Sequence, residues 1–341
     1  MSRPTVHDIA KEAGVSLATV DRVLNARPGV RDKTIARVRD AVDRIGYVRD
    51  TSAANLAKQR QYRFAFVLPE SRSQFVRALE TALEEAYSYH LADRTHLRIL
   101  HVPSQDHHAI ARTLKSLGSG EADGIAVMAP ETPQVRDALS RLKDSGLAVV
   151  TLVSDLPNSR RDFFVGVNSV SAGRTAGLLM GRFARSAGDV LVVTDTMRSR
   201  DSLERRLGFD PVMANEYAEL TVLPSLESHD DPERMARIVA EAAASRENLA
   251  GVYSMGPSNA TLLNALRKSG RLRDLVVIAH ELTPATRQAL LNDEIAAVIA
   301  QNVGHLARSS MRVMRNVCDS LPIFESQERI RIEVVLRENL P

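Results

Sequence analysis

The chain has 341 residues, 44% of them hydrophobic, with a formal net charge of +3, one cysteine and no tryptophan. That length allows two or three domains with substantial cores, and the single Cys318 excludes an intramolecular disulfide and fits a reducing compartment. No apolar run approaches the ~20 residues of a membrane helix, the N-terminus lacks the apolar stretch of a secretory signal, and no Cys/His cluster has zinc spacing. A cytoplasmic protein with no membrane, metal or cofactor requirement is expected. The charge is uneven: residues 1–60 carry 12 Lys/Arg against 7 Asp/Glu, and the remainder 33 against 35. A basic N-terminal stretch is either a solvated surface or the footprint of a polyanion, and the motif it contains favours the second.

Thr5 is placed to cap a first helix, its hydroxyl accepting an otherwise unpaired backbone N–H. Val6, Ile9, Ala10 and Ala13 then form one apolar face, and Gly14 closes the helix in the left-handed conformation. Ser16 caps a second helix, in which Val20, Val23 and Leu24 face inward and Leu17, Ala18, Asp21 and Arg22 face outward. A third amphipathic segment, with Ile35, Val38, Val42 and Ile45 on one face, ends at Gly46-Tyr47. Two short helices joined by a tight turn, the second with a polar outer face, can present side chains to base edges in the major groove.

At these residues the chain resembles the headpiece of the LacI/GalR family of bacterial transcription regulators. The resemblance rests on Val6, Asp8, Ile9, Ala10, Ala13 to Ser16, Thr19, Val20, Arg22, Val23, Asn25, Val30, Lys33, Thr34, Val38, Gly46 and Tyr47. It implies a helix-turn-helix domain over 1–48, with DNA contacts from Thr5, Ser16, Leu17, Ala18, Thr19, Asp21 and Arg22. Asn25, Val30 and Tyr47 join them. Asp21 departs from the small neutral residue common there; it either accepts from a cytosine amino group or holds Arg22 in place, and the second is slightly favoured.

Residues 49–61 then read as a hinge, too short to be a stable helix alone. In the resembled family this segment folds on the operator as a helix pair in the minor groove, where a leucine wedges between base steps. Leu56 matches that leucine and Ala53 the small residue that lets the two helices approach. Arg49-Asp50 replaces the usual Pro-Asn, and Ala54 and Asn55 also depart from the pattern.

From residue 62 onward, short β-branched runs alternate with helical segments, which implies α/β architecture with parallel sheets. Strands are expected at 64–68, 97–102, 124–128, 148–153, 163–167, 190–194, 251–255, 275–279, 297–301 and 329–336, with helices at 76–91, 134–145, 202–215, 258–269 and 283–292. Gly173, Gly177 and Gly181 recur every four residues, a smooth stripe for close packing on a sheet or helix rather than a phosphate loop. This portion resembles the periplasmic-binding-protein-like effector domain of the same family. The resemblance implies two lobes, about 62–165 with 302–329 and about 166–301 with 330–341, and a ligand in the cleft at the strand ends.

Sugar-type ligands need charged and amide groups for paired hydrogen bonds and an apolar face. By the resemblance, Phe75, Arg205, Glu281 and Gln301 offer these, Glu281 standing where an Asp is usual. Asp155 is an even choice between the cleft and an ordinary loop position. The usual Asn-Asp after the strand at 251 is replaced by Met255-Gly256, for which Asn259 or Ser258 would substitute. His107-His108 read as loop histidines, and His280 as the histidine nearer the ligand. No Gly-x-Ser-x-Gly elbow of a hydrolase occurs, so no catalytic residue is expected. The reading is a homodimeric, DNA-binding repressor controlled by a sugar-like metabolite. The alternatives are a regulator whose altered cleft answers to a protein partner or to nothing, and a free-standing sugar-binding protein.

Overall fold

The computed structural model describes residues 4–24, 27–47, 60–90, 94–104, 106–118, 120–256 and 258–341. They fall into two compact units, Met1–Arg60 and Gln61–Pro341.

The first unit holds α1 (Val6–Ala13), α2 (Leu17–Leu24) and α3 (Asp32–Ile45). The Asp8 carboxylate accepts the Thr5 N–H at 2.7 Å and the Thr5 hydroxyl at 2.8 Å. These bonds, the backbone one foremost, hold the Asp8 carboxyl below the ordinary carboxylate range. The Thr5 side chain faces the Asp8 backbone N–H while the Asp8 carboxylate takes the Thr5 N–H, a reciprocal capping box. Gly14, at φ 60°, ends α1, and the Arg37 guanidinium bonds the Ala13 and Gly14 carbonyls, tying the turn to α3. Ser16 Oγ accepts the Thr19 N–H at 3.2 Å and caps α2. Ile9, Ala13, Val20, Val38 and Ala41 make the core. A core this small leaves each helix dependent on the other two.

The second unit contains two sheets. β1 (Tyr62–Glu70), α4 (Gln74–His90), β2 (Thr95–Pro103), α5 (His107–Ser116), β3 (Gly124–Val127), α6 (Pro133–Asp144), β4 (Ala148–Leu152) and β5 (Phe163–Val165) build the first. Its order is β2-β1-β3-β4-β5, all parallel. The chain then crosses to α7 (Ser169–Phe183), β6 (Gly188–Thr194), α8 (Arg200–Glu216), β7 (Leu220–Glu227), α9 (Pro232–Ser245) and β8 (Leu249–Ser254). α10 (Asn259–Lys268), β9 (Val276–His280), α11 (Pro284–Leu291) and β10 (Ala297–Gln301) follow. α12 (Val303–Cys318) crosses back to pack on the first sheet through Leu306, Ala307, Met311 and Met314. After α13 (Glu325–Glu328), β11 (Ile332–Val335) returns to pair antiparallel with β10. The second sheet reads β11-β10-β9-β8-β6-β7.

The central strands are apolar on both faces because helices cover both. In β1, Phe64, Phe66 and Leu68 point into one core layer and Ala65 and Val67 into the other. β7 has no counterpart among the expected strands. It is an edge strand, half-exposed along its length and carrying Pro224, and edges are where a strand proline is tolerated. Pro211 likewise lies inside α8.

The glycine stripe packs α7 on α8. A Cβ at Gly173 would lie 2.0 Å from the Arg205 carbonyl oxygen, and one at Gly208 2.0 Å from the Val170 carbonyl oxygen. Gly177 faces Val212 and Gly181 faces the Tyr217 ring. At Gly173 and Gly208 the two backbones therefore meet with no side chain between them. Gly173→Ala should lower stability by about 3 kcal/mol, because backbone, not a pliable side chain, blocks the new methyl. Gly146→Ala meets nothing within 4 Å and pays only for its left-handed φ, so thermal melts should rank Gly173→Ala as the more damaging; equal melting temperatures would refute the contact.

Candidate functional site

The carboxyl ends of both sheets face a cavity of about 130 Å³. The first lobe lines it with a largely apolar wall, including Phe75, Val102, Ile110, Met128 and Val153. The second lobe lines it with charge: Asp195, Asp201, Asp230 and Glu281, with Arg198 and Arg205. The lobes also touch around it. Asp230 Oδ2 accepts from the Ser71 hydroxyl at 3.1 Å and the Arg72 N–H at 3.4 Å. Gln74 Oε1 accepts the Ala285 N–H at 3.2 Å, and Arg200 pairs with Glu131 at 3.6 Å.

Arg205 is the centre of the charged wall. Only 4% exposed, it donates to the Met255 carbonyl oxygen and faces Asp201 at 3.5 Å and Glu281 at 3.6 Å. Its Nε has no partner. Glu281 follows β9 with φ 71° and accepts from Gln301 Nε2 at 2.8 Å. Burial outweighs the nearby Arg205 and raises its pKa to about 7. Gln301 sits behind Glu281 with its Oε1 unpartnered, and is not among the lining residues.

Two further residues that line the cavity each hold a buried polar atom without a partner, the Asp195 Oδ1 and the His107 Nδ1. Burial, reinforced by Asp230, raises the Asp195 pKa to about 6. Seven non-glycine residues among those described have positive φ, and three of them, Val153, Asp230 and Glu281, line this cavity. Left-handed backbone costs about 1–3 kcal/mol at such residues and persists where the surroundings impose it, commonly at ligand sites. Unpaired polar atoms and strained backbone therefore converge on one place, the opposite of what stability alone would select.

Other expected residues lie elsewhere. Asp155 does not line the cavity: both its oxygens bind Arg161, at 2.5 and 2.7 Å, and Oδ1 also accepts from Thr151 and the Leu156 N–H. Asn259 is buried between Ser254 and the His280 carbonyl oxygen, each at 2.7 Å, and ties β8 to β9. His280 turns from the cavity to the Tyr253 hydroxyl at 2.9 Å, and burial drives its pKa well below the ordinary histidine value. Tyr253 in turn stacks on Phe209 with centroids 4.3 Å apart. His107 belongs to the first turn of α5, capped by Asp106, rather than to a loop. Met255-Gly256 have a backbone role: the Met255 carbonyl holds Arg205, and a Cβ at Gly256 would lie 2.7 Å from the Asp195 nitrogen. Carboxylates reach the cavity from Asp195, which follows β6 beside β8, and from Asp230, beyond the edge strand β7.

In the first unit, Leu17, Ala18, Asp21 and Arg22 are exposed on α2, Leu17 by 42%. Asp21, expected beside Arg22, forms an ion pair with Arg27 at 3.2 Å. Thr5 and Ser16 cap α1 and α2, Thr19 bonds Ser16 at 2.9 Å, and Val30 and Tyr47 are half-buried. Asn25, Ala53 and Leu56, with Arg49, Asp50, Ala54 and Asn55, lie outside the described residues. Among the described residues no group of His, Cys, Asp and Glu could hold a metal ion, and no helix is long and apolar enough to cross a membrane.

Comparison with known proteins places two families on this chain. Residues 5–50 match the profile of bacterial regulatory proteins, lacI family, and residues 64–321 that of the periplasmic binding protein domain. Catabolite control protein A of Priestia megaterium is 28% identical over 153 residues, 44% of this chain and 43% of that protein. The HTH-type transcriptional regulator DegA of Bacillus subtilis is 35% identical over 83 residues, 24% of this chain and 25% of that protein. The matched stretches thus span less than half of either relative. GanP, a glucose-galactose binding protein from Geobacillus stearothermophilus, superposes with a TM-score of 0.73 at 18% identity. That match covers 83% of this chain and 99% of GanP, which establishes the fold.

A carboxyl that binds its proton more tightly in the folded than in the unfolded chain makes folding less favourable as pH rises between its two pKa values. For Glu281 that window runs from 4.5 to about 7. Glu281→Gln removes the penalty. In ligand-free protein its melting temperature, relative to wild type, should rise by several degrees between pH 5 and pH 8. A pH-independent difference would show that Glu281 does not ionise in the buried setting described.

Proposed function

The chain belongs to the periplasmic binding protein domain family and carries a lacI-family regulatory headpiece, and we propose that it is a transcription regulator whose operator affinity is set by a small polar metabolite. The observation that carries this reading is the exposed face of α2, where Leu17, Ala18, Asp21 and Arg22 stand clear of the headpiece core. In a helix-turn-helix such residues read base edges while the caps and flanking basic groups meet phosphates. Ser16, Thr19, Thr5, Val30, Tyr47 and Asn25 complete the proposed DNA surface, and Leu56 and Ala53 the minor-groove hinge. The protein acts in the cytoplasm as a homodimer on a near-palindromic operator and represses. It is a switch rather than an enzyme.

The effector binds between the lobes against Phe75, Arg205 and Glu281, with Gln301 supporting Glu281. A sugar or sugar derivative suits this wall, since its hydroxyls both donate to carboxylates and accept from a guanidinium while its C–H face packs on Phe75. Support for this class comes from the unpaired Arg205 Nε and Asp195 Oδ1 and from the shared fold with a glucose-galactose binding protein.

The test is operator selection followed by anisotropy titration of the full-length protein across a salt series. Each phosphate neutralised contributes about −0.9 to the slope of log K against log salt, so a steep slope of several units is expected. Arg22→Ala should weaken operator binding by roughly 1–3 kcal/mol, and Leu56→Ala should weaken it while leaving the lobes' ligand binding unchanged. A flat salt dependence, with no sequence enriched, would refute the regulator reading.

A further inference from the structure

The charged wall of the cavity does not balance itself. Arg205 faces both Asp201 and Glu281, so those two carboxylates share a cation. No arginine or lysine among the described residues pairs with Asp195 or Asp230, and the neighbouring His229 is the charged group that favours the ionised form of Asp195. Asp195 and Asp230 are held together by the pairing of two strand ends: the Ser228 N–H bonds the Thr194 carbonyl oxygen and the His229 N–H bonds the Asp195 carbonyl oxygen, each at 2.9 Å. Asp230 therefore follows directly beside Asp195, and both line the cavity. Arg198, also lining it, is exposed and makes no ion pair with either.

What these carboxylates bind from the protein is neutral. Asp230 accepts from the Ser71 hydroxyl and the Arg72 N–H, while Asp195 Oδ1 is buried and has no partner. Burial raises the Asp195 pKa, and the adjacent Asp230 carboxylate, which repels it, raises it further. A metal ion is not the answer among the described residues, where no cluster of suitable ligands exists. A second, independent observation lies on Arg205. Its side chain is 5% exposed, it lines the same cavity, and its Nε donor is unpartnered. The ligand must therefore present an acceptor to Arg205 and a donor to Asp195 at once.

We infer that the ligand of this cleft is a compact polyhydroxylated amine, an amino sugar in chemical class, whose ammonium sits between Asp195 and Asp230 while a hydroxyl oxygen accepts from Arg205. The inference rests on the reading of the cleft as an effector site. A hydroxyl satisfies the orphan acceptor but leaves two neighbouring negative charges in a low-dielectric pocket; an ammonium satisfies the acceptor and neutralises the pair. The apolar first-lobe wall of Phe75, Val102 and Met128 takes the ring face opposite.

The experiment is calorimetric titration of the full-length protein at pH 7.5 with matched trios: D-glucose, D-glucosamine and N-acetyl-D-glucosamine, and the galactose and mannose counterparts. At least one free amine should bind ten times more tightly than both its neutral partners. That preference should collapse in Asp195→Asn and in Asp230→Asn, both of which keep or raise the ligand-free melting temperature because each removes one of two repelling charges. Neutral sugars binding as tightly as their amines would overturn the amine assignment and leave the sugar reading standing. A preference that survives both substitutions would overturn the placement of the ammonium. No binding by any member would overturn both the amine assignment and the sugar reading.

Discussion

The approach of two helix backbones at Gly173 and Gly208 positions the charged wall of the cavity. With no side chain between the helices at Gly173, the Arg205 carbonyl comes within van der Waals reach of that glycine, and the guanidinium is carried to the strand ends. There it meets the Met255 carbonyl, Asp201 and Glu281. A buried guanidinium is costly unless it is paired, so this one organises its neighbours: it draws Glu281 onto the cavity wall in spite of a left-handed backbone and leaves one donor over. Glycine at 256 serves the same end, admitting the Asp195 backbone where any Cβ would collide.

The cavity joins two dissimilar surfaces. The first lobe supplies an apolar wall from strand ends and the start of α4; the second supplies charge from strand ends and the start of α8. Neither is a site alone. The bonds from Ser71, Arg72 and Gln74 across to the second lobe involve surface-accessible groups, each worth about 1 kcal/mol. A ligand that satisfied Arg205, Asp195 and His107 would favour the arrangement in which it makes those contacts over any in which it does not.

Most strands could be read from the sequence because both faces are buried and the apolar runs are continuous, as in 64–68 and 297–301. β7 could not: it is an edge strand, half-exposed and interrupted by Pro224, so it carries neither a continuous run nor a clean alternation. Asp230, just beyond β7, carries no strand-end signal for the same reason. Asp195 needed only the rule that ligands sit at carboxyl strand ends, applied to the expected strand at 190–194. Arg205 and Glu281 were legible through the family pattern, and both line the cavity. Asp155 and Asn259 have the right chemistry at the right strand ends, but local partners take up their polar atoms. Nothing in the sequence marks that Arg161 would engage both oxygens of Asp155. The glycine stripe signalled close packing, though not that its partner would be the helix bearing Arg205.

The central claim is that cleft and headpiece belong to one switch, and linkage makes it measurable. A ligand that changes operator affinity by some factor must have its own affinity changed by the operator by the same factor. The measurement is operator affinity of the full-length protein by anisotropy, with and without a saturating sugar or amino sugar that binds the cleft, in wild type and Arg205→Ala. A change of roughly five- to 150-fold, within the usual range of such coupling, that is lost in Arg205→Ala is the predicted result. Operator affinity unmoved by a ligand that demonstrably fills the wild-type cleft would contradict the account.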